Sequence, residues 1–245
     1  MPFIQPLIRL NKYIADAGVC SRREADKLIV SGTIKVNGEV IKELGKKVNL
    51  NDKIEYKGKL LTQEKLQYIL LNKPKDFETD PADTKSKKNV MRLVEGACLE
   101  KIKPIDGLEM GFSGLLVFTN DLDLINRINN ASSRLNIKYS VELDKAMPSA
   151  YLTELMSGIQ LEEGIFKFDL VAYGDAGKNN RKLLITTKLG NSRVVKRMLE
   201  YFDLNVISFD RIQFLELKKG SLTRGKWRFL SNKEIGFLKM IKAYE

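Results

Sequence analysis

Apolar side chains recur at helical spacing early in the chain. Leu10, Tyr13, Ile14 and Ala17 stand at i, i+3, i+4 and i+7, which predicts an amphipathic helix stopped by Gly18. A second helix follows, because Ser21 with Glu24 three positions on makes a capping box, and Ala25, Leu28 and Ile29 supply its buried stripe. The period then drops to two. Ile34-Lys35-Val36 and Val40-Ile41 flank Asn37-Gly38-Glu39, a hairpin turn signal, and Lys53-Ile54-Glu55-Tyr56 alternates as a further strand. Beyond a polar stretch from Thr62 to Leu66, Tyr68-Ile69-Leu70-Leu71 reads as a buried strand ending at Asn72-Lys73-Pro74, followed by a polar loop from Lys75 to Asn89. Pro104 to Asp121 predicts a loop, a buried strand around Leu115-Leu116-Val117-Phe118, and a helix start at Thr119 to Asp121. Later, Arg193, Lys196 and Arg197 fall on one face of a helix ending near Phe202.

Composition narrows the chemistry. The 245 residues include 42 Lys and Arg against 31 Asp and Glu, a net charge of +11, and 43% are hydrophobic, so the chain folds rather than remaining disordered. No histidine is present, which excludes Ser-His and Cys-His nucleophile pairs, His-ligated metals and an imidazole base. Chemistry must rest on carboxylates, Lys or Tyr. The 2 cysteines, Cys20 and Cys98, lack metal-type spacing and read as reduced, buried small hydrophobes. Apolar runs fall far short of the roughly 20 residues that span a bilayer, and Met1 to Pro6 lack the features of a secretory signal. The expected compartment is therefore the cytoplasm.

The charge is unevenly distributed. Residues 1–65 hold 13 basic and 8 acidic side chains and residues 178–245 hold 16 and 6, whereas residues 66–177 hold 13 and 17. Two basic segments flanking an acidic middle point to a polyanion held by the ends, since each neutralised phosphate releases counterions. Arg22 and Arg23 strengthen this reading. They occupy the first turn of the second helix, where unpaired N–H groups and the dipole already attract anions, and two cations there are unfavourable for the helix itself.

The ordered series Arg9-Leu10-x-Lys12-Tyr13-Ile14, Gly18, Ser21-Arg22-Arg23-Glu24-Ala25, Gly32, Ile34 and Val36-Asn37-Gly38 resembles the S4 RNA-binding domain. The resemblance implies a basic face on structured RNA, with phosphate contacts from Arg9, Lys12, Arg22, Arg23 and Lys35. Further on, Asn72-Lys73-Pro74, the Pro104–Asp121 segment with Ser113-Gly114-Leu115-Leu116, Tyr139-Ser140-Val141, Gly190 to Met198 and the closing Arg224-Gly225-Lys226-Trp227-Arg228-Phe229-Leu230 resemble the bacterial rRNA pseudouridine synthases of the RsuA/RluB type. Nearly the whole chain is covered, in the same domain order.

That family implies a reaction without cofactor or metal. An Asp in a Gly-Arg-Leu-Asp loop acts at the ribose, a Tyr stacks on the flipped base, and a basic residue of the late motif pairs with the Asp. Here the loop reads Asp106-Gly107-Leu108-Glu109, which puts Glu109 in place of the Asp, Gly107 in place of the Arg and Asn191 in place of the basic partner, while Tyr139 stands where the family has it. A displacement of about 1 Å can cost a hundredfold in rate. Coordinated departures at linked positions therefore predict a non-catalytic protein that binds rRNA or a ribosomal particle. The alternatives are an active rRNA pseudouridine synthase using Glu109, or Asp106 three residues earlier, and a regulatory binder of other RNA. Arg193, Lys196 and Arg197 are expected to bind RNA, with Arg211, Lys218, Lys219, Arg224, Lys226 and Arg228 extending the basic surface.

The expected fold is α+β: an S4 domain over 1–62, a flexible joint at 63–66, and a pseudouridine-synthase-like domain over 67–245. This larger domain is built on a mixed, mainly antiparallel sheet whose central cleft holds Glu109 and Tyr139. Ser113-Gly114 is expected to be a tight turn into a strand and Trp227 a core residue. No membrane or small-molecule partner is expected, and the free protein is expected to be a monomer.

Overall fold

The computed structural model describes residues 7–241, apart from 50, 63, 84–85, 131–134, 175–179 and 190. Gln63 of the expected joint and Gly190 of the late motif therefore lie outside the described residues.

The chain divides into two compact units, Met1–Gln67 with Thr119–Asn126, and Tyr68–Phe118 with Arg127–Glu245. In the first, a short strand β1 (Ile8–Arg9) leads into α1 (Leu10–Asp16) and α2 (Arg22–Val30). Gly18 at φ 73° ends the first helical segment, and the Ser21–Glu24 capping box opens the second. Strands β2 (Ile34–Val36) and β3 (Glu39–Val40) form a hairpin through Asn37 and Gly38, both at positive φ as a two-residue hairpin turn requires. Then come β4 (Lys47–Val48), which pairs with β1, and β5 (Ile54–Tyr56) and β6 (Lys59–Leu60), which complete the sheet order β3-β2-β5-β6. The apolar helix stripe and alternate strand residues meet in one core of Leu10, Tyr13, Ile14, Ala25, Ile29, Ile34, Val36, Val48 and Ile54.

This unit differs from the expected 1–62. It runs on to Gln67, because Asn120 accepts from the Gln67 N–H at 2.8 Å and donates to the Lys65 carbonyl at 3.1 Å. Lys65 and Gln67 are thus hydrogen-bonded within the first unit.

The second unit is built on a nine-stranded sheet with the path β13-β14-β10-β15-β9-β7-β17. Its elements in chain order are β7 (Tyr68–Lys73), β8 (Lys103–Ile105), β9 (Ser113–Thr119), the last turn of α3 (Leu122–Asn130), whose residues to Asn126 belong to the first unit, β10 (Ile137–Leu143) and α4 (Ser149–Ser157). After these come β11 (Ile159–Leu161), β12 (Gly164–Phe166), β13 (Leu170–Tyr173), β14 (Lys182–Thr187) and α5 (Ser192–Glu200). The chain closes with β15 (Val206–Phe214), β16 (Leu217–Lys218), β17 (Trp227–Phe229) and α6 (Asn232–Lys239). Every residue of β7 and β9 is buried, which is why both read as continuous apolar runs rather than as alternations. Strand β9 meets β15 in parallel at Ser113–Asp210 and Arg211–Gly114, whereas β10 pairs antiparallel with both β14 and β15. The junction of β9 and β15 admits only glycine at 114. A Cβ there would lie 2.3 Å from the Arg211 backbone nitrogen, and φ is 117°. Ser113 is structural too, its hydroxyl donating to the Phe209 carbonyl at 3.1 Å. Trp227 is half-buried and packs on the core of Ile69, Leu71, Val90, Val94, Ile102, Leu116 and Phe118.

Candidate active site

The loop between β8 and β9 is the centre of the site, and nearly every carbonyl along it is held. Asp106 leaves β8 in the left-handed region, φ 49°, with its carboxylate accepting from Arg211 Nη1 at 2.6 Å and its carbonyl from Arg211 Nη2 at 3.1 Å. Thr79 Oγ1 donates to the Leu108 carbonyl at 3.0 Å. Lys73 Nζ, at the end of β7, donates to the carbonyls of Glu109 (3.0 Å), Met110 (3.3 Å) and Phe112 (2.7 Å). The Phe112 ring stacks on Phe209, with centroids 4.1 Å apart. A buried cation must be matched by several oxygens: Lys73 and Arg211, each 0% exposed, find them in this loop, Arg211 adding the Leu115 carbonyl of β9 at 2.7 Å.

Burial pushes the Lys73 ammonium down to about 8, although Glu78 and Asp76 oppose it. Burial likewise pushes the Asp106 carboxyl up, against the Arg211 guanidinium. Asp210 behaves differently: hydrogen bonds from Arg224 and Lys219 outweigh its burial and hold it below the ordinary carboxylate range.

From this braced backbone Glu109 projects into a cleft of about 590 Å³, lined also by Thr79, Gly107, Met110, Asn191 and Arg193. Its Oε1 accepts from Arg193 Nε at 2.6 Å. Asn191 accepts from the Arg193 N–H at 3.0 Å as the N-cap of α5, which aims the first helical turn at the cleft. A second hollow, of about 510 Å³ beside Met91, Arg92, Cys98 and Lys101, includes no residue of the 106–112 loop. Among the described residues no cluster of His, Cys, Asp or Glu is placed to hold a metal ion.

Several expectations change on this geometry. The basic partner read as lost at Asn191 is supplied two residues later by Arg193, whose longer arm meets a carboxylate that is itself one methylene longer. Tyr139 does not line the cleft. It is 0% exposed on β10, 4.6 Å from the Phe209 ring, with burial pushing its hydroxyl up against the opposing pull of the Arg211 guanidinium. Arg211 is a core cation rather than a surface one. Lys219 and Arg224 are both engaged by Asp210, and Arg228 is engaged by Glu234. Lys218 and Lys226 stay exposed.

The expected RNA-binding residues divide in the same way. Arg9, Lys12, Arg23 and Lys35 are exposed on the first unit, whereas Arg22 is half-buried with its Nε 3.9 Å from Asp123. On α5, Arg193 faces Glu109, Lys196 faces Glu200 at 3.3 Å, and Arg197 faces Glu162 and Glu163 at the turn between β11 and β12. Sequence reasoning missed Thr79 and the bracing roles of Lys73, Asp106 and Arg211. The available signal was a Lys closing the apolar run Tyr68–Leu71 and an Arg within the mixed strand β15.

Residues 8–54 match the S4 domain family, and residues 67–201 match the RNA pseudouridylate synthase family. The chain is 35% identical over 232 residues to an uncharacterized RNA pseudouridine synthase of Aquifex aeolicus, covering 94% of this chain and 93% of that protein. It is 35% identical over 236 residues, 95% and 96% of the two chains, to ribosomal large subunit pseudouridine synthase B of Bacillus subtilis. With the dual-specificity RNA pseudouridine synthase RluF of Escherichia coli K12 it shares 30% over 93% of this chain and 77% of that protein. A crystal structure of a pseudouridylate synthase superposes with a TM-score of 0.65 at 26% identity, over 94% of this chain and 99% of that one. These relatives overturn the expectation of a non-catalytic protein, since the likeness to named synthases runs end to end through both domains. An S4 domain followed by this sheet and its braced carboxylate loop makes the chain a member of the RNA pseudouridine synthase family.

Proposed function

We propose that the protein is an rRNA pseudouridine synthase in which the Glu109 carboxylate does the work of the family Asp. The observation that carries this reading is the 2.6 Å pair between Glu109 and Arg193 at the cleft, on a loop whose backbone is immobilised from below. A carboxylate so positioned acts at the ribose C1′ of an extruded uridine. The N1–C1′ bond breaks, the uracil turns within the cleft, and C5 bonds to C1′. The C5 proton leaves and N1 ends protonated, so atoms balance and no redox partner is required. Arg193 orients the carboxylate and balances its charge.

The exposed cations of the first unit, Arg9, Lys12, Arg23 and Lys35, support a role in holding the RNA backbone while the second unit reaches the target. The relative named for the large ribosomal subunit supports rRNA as the substrate class. The test uses full-length protein and rRNA transcripts carrying tritium at uridine C5. Release of tritium to water by wild type, and a loss of at least a thousandfold with Glu109→Gln, are expected. Release that persists in Glu109→Gln would remove Glu109 from the role.

A further inference from the structure

An extruded pyrimidine needs an apolar surface for its ring, and the residue expected to give one is out of reach. Tyr139 is fully buried, and among the described residues no aromatic side chain lines the cleft beside Glu109. Leu108 is 0% exposed, its carbon surface already committed to the core. Met110, next to Glu109 on the same lip, is 52% exposed. Its backbone is not loose. The Met110 carbonyl accepts from the Asp76 N–H at 2.7 Å and from Lys73 Nζ at 3.3 Å, so the exposed thioether stands on a doubly anchored residue. Gly107 and Gly111 on either side contribute no side chain that would cover it.

We infer that Met110 is the positioning residue that receives the face of the extruded uracil, by apolar and sulfur–ring contact, while Glu109 addresses the sugar. The inference rests on the synthase reading and specifies how that site holds its base. A flexible thioether suits the task, because the ring must turn between detachment and reattachment, and an adaptable side chain follows it better than a rigid aromatic plane.

The experiment labels the methyl groups of the 7 methionines of the full chain, assigns Met110 with the Met110→Leu variant, and adds oligouridylate. An upfield ring-current shift of the Met110 methyl is expected, with no such shift on adding polyphosphate, which brings charge without a base. In the tritium assay Met110→Ala lowers kcat/KM ten- to a hundredfold, as expected for loss of base stacking, and Met110→Leu restores most of it. RNA affinity stays within twofold and the melting temperature is unchanged. A Met110 methyl indifferent to saturating oligouridylate, or full turnover by Met110→Ala, would overturn the inference. A shifted methyl in a wild-type protein that releases no tritium would sink the synthase reading and leave the base contact standing.

Discussion

Glu109 and Arg193 form a matched pair in which reach, not residue type alone, sets the geometry. Shortening the acid by one methylene while leaving Arg193 in place opens the 2.6 Å contact by about 1 Å. Glu109→Asp is therefore expected to lose ten- to a hundredfold in kcat. Combining it with Asn191→Lys, which puts a cation at the position read as the family's own, recovers part of that loss. The double variant costs about 1 kcal/mol in stability, because Asn191 caps α5. Single-turnover rates and melting curves measure the two effects separately.

Lys73 adds a pH signature at the same scale. As pH rises through about 8 it loses the charge that grips the carbonyls of 109, 110 and 112, so the rate falls with an inflection there that Lys73→Arg displaces to higher pH. Its linkage to stability has the opposite direction. Between about 8 and the ordinary lysine value the unfolded chain holds the extra proton, so raising pH favours the folded form, by about 3 kcal/mol once titration is complete. Wild type is therefore expected to gain stability relative to Lys73→Met from pH 7 to pH 10. Little of this was readable from spacing alone. The acid, the cleft's helix and the position of Tyr139 in its strand follow from local sequence, but Arg211 lies 105 residues from Asp106 and Arg193 lies 84 from Glu109, so their pairings exist only once the sheet is assembled.

Elements set where these side chains meet. The parallel contact of β9 with β15 brings Arg211 under the loop, and Gly114 permits the approach; Gly114→Ala is expected to destabilise the second unit by at least 3 kcal/mol in denaturant titration, since backbone rather than a flexible side chain stands in the way. At the end of the chain, α6 begins with a Ser231–Glu234 capping box while Glu234 also takes two hydrogen bonds from Arg228 of β17. Those contacts, the Arg228 bond foremost, hold the Glu234 carboxyl down at about 2, so this contribution to stability is complete above the ordinary glutamate range and disappears as pH falls toward 2. Glu234→Gln should flatten that part of the acid-stability profile. Most of this architecture was legible: the caps, the hairpin turn at Asn37-Gly38 and the doubly buried β7 and β9 each carry a local signature. The tie of Asn120 to 65–67 was not, because a polar stretch reads as a linker until its distant hydrogen-bond partner is in place.

For the molecule as a whole, the +11 charge resolves into two different uses. Arg9, Lys12, Arg23 and Lys35 are exposed on the first unit, while six of the later cations are engaged by carboxylates: Arg193, Lys196 and Arg197 on α5, and Lys219, Arg224 and Arg228 beyond it. Composition counts charges but not partners, which is why the later segment read as the stronger binding surface. Arg23→Glu is accordingly expected to weaken RNA binding and reduce the slope of log K against log salt by about one contact's share, roughly 0.7 to 0.9. Arg197→Gln, whose partners are Glu162 and Glu163, changes that slope little. Filter binding across a salt series compares them.

The most direct measurement is a site-by-site map of pseudouridine in rRNA from cells with and without this gene, complemented by wild type or by Glu109→Ala. One or a few uridines should lose modification on deletion, regain it with wild type and stay unmodified with Glu109→Ala. An identical map in all four strains would contradict the account.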